Sequence, residues 1–188
     1  MKTVDVTIRG VTQYQQGAYV ATEKEAGETG DAHEERTWRE RMHVDADGNV
    51  YIPGQAFKKA LDEAVSWLGR KIRGKGQSTY TKRFLRGVAV LSDVPIGAKA
   101  SDAIKVRLHV GAQGANSEKR VFRNFPTFPK WGGVVEFHVF DDLIDKTIFQ
   151  EAMEAAGKFI GVGVFRPERG GTQGRFEVEK IEFRGEWA

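Results

Sequence analysis

Cysteine is absent from the 188 residues, which removes a disulfide framework, a thiolate zinc site and a cysteine nucleophile together. Long apolar runs are missing too. The opening, MKTVDVTIRG, has no apolar signal core, and no stretch of about 18 apolar residues exists to span a bilayer. The expectation is a cytoplasmic protein without membrane contact. Histidine is sparse, and His33, His43, His109 and His138 show no metal-ligand spacing. His109 and His138 lie in strand patterns, where a structural histidine is the common case. No serine triad or paired carboxylate follows from spacing. Asp141, Asp142 and Asp145 read as helix leaders, not cation ligands. No catalytic residue, metal or cofactor is therefore expected.

A large excess of one charge is also lacking, with 29 Lys+Arg against 26 Asp+Glu and a formal net charge of +3. Along the chain the balance breaks down. Between Glu23 and Glu40 the acids Glu23, Glu25, Glu28, Asp31, Glu34, Glu35 and Glu40 face only Lys24, Arg36 and Arg39, which reads as a solvated insertion. Residues 64–92 contain no acid, while Arg70, Lys71, Arg73, Lys75, Lys82, Arg83 and Arg86 accumulate there. Like charges at this density repel one another unless a polyanion or an acidic neighbour is present.

Alternation of Val4, Val6 and Ile8 with polar residues predicts an amino-terminal strand. Asp47-Gly48-Asn49 predicts a hairpin turn inside residues 42–52. After Ile52-Pro53-Gly54, the spacing of Phe57, Ala60, Leu61, Ala64, Val65 and Leu68 predicts a helix closed by Gly69. Strands are expected at residues 84–91, 103–110 and 134–140, a helix at 147–159 capped by Thr147, and a last strand through Phe176, Val178, Ile181 and Phe183. Two strand-helix-strand halves make an α+β sandwich of ferredoxin-like or RNA-recognition-motif type. One domain over residues 1–188 is expected, with insertions at about 11–41, 70–83 and 111–132.

Two segments carry chemistry. The glycine-rich stretch 161–174 closes a helix and enters a strand, unlike a dinucleotide loop, and it lacks the Gly-Lys-Ser/Thr ending of a Walker loop. Its bare amides and Arg166, Arg169 and Arg175 suit close approach to phosphates; the alternative is a tight turn against the helix. In the stretch 120–131 aromatics alternate with cations, so Arg120, Arg123, Phe125 and Phe128 are candidates for phosphate pairing and base stacking, with burial of the two phenylalanines under an insertion as the equal alternative. Pro126 and Pro129 argue against a central strand there. Phe122 or Trp131, or both, are expected in the core.

The sequence Ile52-Pro53-Gly54-Gln55-Ala56-Phe57-Lys58-Lys59-Ala60-Leu61, together with the late glycine loop 159–175, resembles the RAMP superfamily of CRISPR-associated proteins. The first motif is similar to the opening of the first helix in subunits that form the backbone of effector complexes, and the second to their loop before the last strand. The resemblance implies a modified RNA-recognition motif with thumb-like and finger-like insertions. It also implies Lys58, Lys59 and the loop arginines on a nucleic-acid groove, and residues 75–86 and 111–131 touching nucleic acid or the next subunit. The leading expectation is a non-catalytic protein that binds single-stranded RNA or DNA and self-associates head to tail, the acidic insertion meeting the basic segment of a neighbour. Two alternatives stay open: a metal-independent RAMP-type endoribonuclease using His43, or Tyr80 with Lys82, and a phage factor that mimics or blocks a CRISPR subunit.

Overall fold

The amino-terminal alternation forms a strand in which Val4, Val6 and Ile8 are buried and the residues between them stand on the other face. The computed structural model describes residues 2–111 and 120–187. In chain order the elements begin with β1 (Lys2–Gly10), β2 (Tyr14–Gln15), α1 (Gly30–Thr37), β3 (Asn49–Ile52), α2 (Gly54–Leu68) and α3 (Thr81–Gly87). There follow β4 (Val88–Ala89), β5 (Val94–Lys99), β6 (Ile104–Gly111), β7 (Arg120–Phe128), β8 (Gly132–Val139), α4 (Lys146–Ala155) and β9 (Phe176–Arg184).

The main sheet is antiparallel in the order β4-β8-β1-β9. With α2 between β1 and β4, and α4 between β8 and β9, this is the ferredoxin-like βαββαβ arrangement that the two halves of the sequence predict. A register shift opposite Thr7/Ile8 leaves Glu179 without a partner across the ladder. That bulge explains why Val178 and Ile181, three residues apart, both turn inward.

One sheet face carries both helices. Phe57, Leu61, Ala64 and Val65 of α2, with Phe149, Ala152 and Met153 of α4, pack over Val4, Val6, Val135 and Phe137, all buried. Each large side chain so buried contributes roughly 1.5–3 kcal/mol. Gly69 ends α2 in the left-handed conformation, φ +58°, as expected. The cap of α4 is Asp145, whose carboxylate accepts the Ile148 N–H at 2.8 Å, and not Thr147. A π-helical turn at Ala156–Ile160 extends α4.

Residues 84–91 are not the strand their apolar content predicts. Phe84 and Gly87 are buried while Leu85 and Arg86 are exposed, a helical spacing realised as α3, and only Val88–Ala89 pair with β8. The hairpin at Asp45–Gly48 does form: Gly48 donates to the Asp45 carbonyl at 3.1 Å, and Val44 bridges Val50.

A second sheet, β2-β7-β6, places β7 at its centre despite Pro126. Pro126 lies opposite Lys105, and its carbonyl accepts the Gln16 N–H at 3.1 Å just where the chain leaves β2. The missing proline donor would point to that same side, so no β6 bond is lost. The acidic insertion is not simply solvated. Its helix α1 lies on the β6–β7 hairpin through Arg107–Asp31 at 2.7 Å, Lys105–Glu35, and Asn124 to Glu35 at 3.3 Å. Arg41 pairs with Glu34 at 2.6 Å, and Trp38 beside it is buried. Of the expected insertion 111–132, residues 112–119 lie outside the described residues.

Candidate nucleic-acid interface

The helix-opening motif and the glycine loop, about a hundred residues apart in sequence, face each other across one cleft of about 790 Å³. The α2 side begins at Pro53-Gly54. The Asp93 carboxylate accepts the Gly54 N–H at 3.1 Å, and a side chain at Gly54 would lie 2.3 Å from the Ser92 carbonyl. Glycine is thus required by close backbone approach.

The loop side is stitched to β2: Val164 donates to the Gln15 carbonyl at 3.1 Å and Gly174 to that of Gln13 at 2.9 Å. Gly163, φ +84°, rests on the Tyr14 ring, with no room for a Cβ between that ring and the Gln15 carbonyl. Phe165 has φ +56°, the one non-glycine residue at positive φ among the described residues. Its ring meets Phe125 edge-on at 5.3 Å. The glycines therefore serve the tight packing that the sequence left as an alternative.

The cleft is nearly balanced in charge. Lys59 is exposed on its wall. Arg166 is held by Glu168 at 2.7 Å and by the Gly163 carbonyl at 3.1 Å, and Arg169 by Glu168 at 3.1 Å. Asp62 and Glu63 also line it. Arg175 departs from the other two: it points to the Lys158 carbonyl and lines a separate hollow with Val11 and Phe176. Lys58 is a correction. Only 7% exposed, it turns beneath the helix to the Asp62 carboxylate and the Phe84 carbonyl, and so cannot face a strand in the groove.

Two further expectations fall with burial. Phe125 and Phe128 are 6% and 1% exposed, because β7 is covered on both faces at its inner end. Neither ring is open to a base. Trp131 is core, as expected of it or Phe122. Phe122 is the exposed aromatic of the hairpin, stacked on His109 at 4.8 Å with the Arg107 guanidinium 4.5 Å from its centroid. Arg120 is exposed beside it and Arg123 is half-buried.

The basic run forms a closed excursion after α2. Ile72 donates to Ser78 at 2.8 Å and Tyr80 to Arg70 at 3.1 Å, while buried Ile72 and Tyr80 anchor it. Acids from elsewhere compensate two of its cations: Arg70 pairs with Glu151 at 2.8 Å and Arg83 with Asp141 at 3.3 Å. Lys71, Arg73 and Lys75 on the excursion, and Lys82 and Arg86 on α3, are exposed and have no carboxylate partner among the described residues. Leu85 of α3, 59% exposed, joins this surface to the cleft.

The open face of the main sheet differs sharply. Asp5, Glu136, Glu177, Glu179 and Glu182 outnumber Arg9, Lys180 and Arg184 there, and Arg9 and Arg184 are themselves ion-paired on the sheet. Its described strand residues include no Phe, Tyr or Trp, and its imidazole, His138, is mostly covered and paired with Glu136 at 2.9 Å, so it is poorly suited to stacking and phosphate pairing.

Of the groups considered for catalysis, His43 lines the cleft, its ring tilted against that of Tyr51 at 5.6 Å between centroids. No hydrogen bond orients its imidazole among the described residues. Burial pushes the Tyr80 phenol above its usual range, opposite to what a base or nucleophile needs. Sequence reasoning missed Gln15 and Gln16. Gln16 donates to the Tyr51 carbonyl and accepts the His43 N–H, each at 2.7 Å. Gln15, at the cleft wall, has a buried side-chain oxygen without a partner among the described residues. Nothing in a polar Tyr-Gln-Gln run advertises such burial.

No known family model matches the sequence, and no curated protein sequence matches it. Among solved structures the chain is similar to the crystal structure of Cmr6 from Pyrococcus furiosus, with a TM-score of 0.51 and 13% identity, over 95% of this chain and 99% of that one. At this identity the likeness is one of fold.

Proposed function

We propose that the protein is a RAMP-like, non-catalytic binder of single-stranded nucleic acid, with copies associating side by side along the strand. The observation that carries the reading is the exposed set Lys71, Arg73, Lys75, Lys82 and Arg86, without carboxylate partners among the described residues, on the excursion and on α3, whose Leu85 lines the cleft. Cations that are left uncompensated while Arg70 and Arg83 find acids are available to phosphates. The near-neutral cleft then guides the strand, with exposed Lys59 as its contribution of charge, and the larger share of phosphate pairing falls to the excursion and α3. Likeness in fold to Cmr6 supports the RAMP-like part.

The acids once expected to reach a neighbour are engaged within the chain, since Asp31, Glu34 and Glu35 hold Arg107, Arg41 and Lys105. Self-association is therefore not assigned to these three acids. The test is a polarisation titration with labelled single-stranded RNA and DNA at low salt, followed by sizing with and without the strand. Binding without cleavage in EDTA is expected, with larger assemblies on the strand. Absence of binding to either polymer rejects the reading, and cleavage lost in His43→Ala replaces it with the ribonuclease alternative.

A further inference from the structure

A tryptophan on the solvent side of a helix usually finds cover. Trp67, near the end of α2, is 59% exposed, and among the described residues its ring partner is Phe159, itself 39% exposed, at 4.4 Å between centroids and 32° between planes. The pairing depends on the π turn, which buries Gly157 and Ile160 and leaves Phe159 outward. The Lys158 ammonium lies 5.2 Å from the Phe159 centroid.

The position of the pair indicates what it could hold. Lys59, Glu63 and Trp67 recur at four-residue spacing on α2, and the first two line the cleft, so the pair continues the cleft wall. Immediately beyond it, past the left-handed Gly69, the chain enters the excursion that carries Lys71, Arg73 and Lys75. An apolar π surface at the foot of uncompensated cations matches a ligand with a flat ring on a polyanionic backbone.

We infer that Trp67 and Phe159 form a stacking platform for an unpaired base of the strand whose phosphates the excursion holds. This rests on the nucleic-acid reading above and adds where a base is gripped. Stacking on a side chain is tolerant of base identity, so the platform confers affinity without sequence preference.

The experiment compares the wild type with Trp67→Ala/Phe159→Ala and with Lys71→Gln/Arg73→Gln/Lys75→Gln. Each is titrated with a single-stranded oligonucleotide carrying 2-aminopurine, over a range of salt. The aromatic variant should lose roughly 5- to 150-fold in affinity, keep its salt slope and no longer quench the probe. The charge variant should show a slope shallower by about 2 and still quench at saturation. An aromatic variant that binds and quenches as the wild type does, beside a charge variant that weakens, overturns the platform and leaves the nucleic-acid reading standing. No binding by the wild type overturns both. A dimer that forms without oligonucleotide and is lost in the aromatic variant assigns the rings to a protein contact and overturns the platform. Thermal melts check folding; should the double variant unfold, Trp67→Gln alone carries the same comparison.

Discussion

Lys58 and Lys59 are neighbours in one motif, yet the structure gives them opposite roles, and substituting each tests that division. Lys58 is 7% exposed and its ammonium serves the Asp62 carboxylate and the Phe84 carbonyl, the latter at 3.3 Å. Removing one member of a fully buried pair costs about 3–5 kcal/mol, and of an exposed one about 0–1. The Asp62 side chain keeps 20% of its surface in solvent, and one of its oxygens is already buried without a partner among the described residues. Lys58→Met should therefore destabilise by an intermediate amount, about 2 kcal/mol, which lowers the melting temperature by about 4–8 °C in a domain of this size. Adding Asp62→Asn removes the stranded charge and should restore more than half of the loss. Lys59→Met, on the exposed cleft wall, should leave the melt unchanged within about 0.5 kcal/mol and weaken strand binding instead. Calorimetry and a polarisation titration on the same samples decide. A Lys58 variant that melts normally but loses binding would refute the assignment and return this lysine to the groove.

Two glycines of the late loop should separate packing from conformation. Gly163→Ala forces a Cβ to 2.5 Å from the Gln15 carbonyl at φ +84° and should cost about 2 kcal/mol or more, whereas Gly170→Ala, at φ +77° with open space around it, should cost only about 1. Urea denaturation measures both, and equal losses would mean that the contact with β2 is not what demands glycine. Acid should loosen the insertion. The Arg36 guanidinium holds Glu28 down at about 2, and the Lys105 ammonium holds Glu35 below the usual carboxylate range. Both are depressed in the folded state, so their stabilisation is present above about 4.5 and is lost as pH falls toward about 2. The melting temperature should fall through that window, and less steeply in Glu35→Gln; identical profiles would show that α1 is not held on the hairpin by charge.

The core frame was legible because its residues obey one period at a time. β1 alternates strictly, and α2 repeats at three and four until a glycine stops it. Where two surfaces claim one segment, the pattern blurs. Asn124 to Phe128 are five consecutive buried residues, since β7 meets β2 and the core on one side and α1 with its following turn on the other. Alternation cannot report burial on both faces, and Phe125 and Phe128 consequently looked free for bases. The stretch 84–91 misled for a different reason: seven residues of helix run straight into Val88-Ala89, and β-branched residues at its end outweighed the spacing of Phe84 and Gly87. The basic excursion was visible as an absence of acids, but its compensation by Glu151 and Asp141 was not, because both lie more than fifty residues away in sequence. The same distance hid the pairing of Trp67 with Phe159, each unremarkable alone.

The central claim is that uncompensated cations on the excursion and α3 hold a single strand. Its most direct measurement is the salt dependence of affinity in the wild type and in the variant with Lys71, Arg73, Lys75, Lys82 and Arg86 all changed to glutamine. Each phosphate contact on a single strand contributes about 0.7 to the slope of log affinity against log salt, so the five substitutions should flatten it by about 3.5 while the melt is preserved. An unchanged slope would contradict the account.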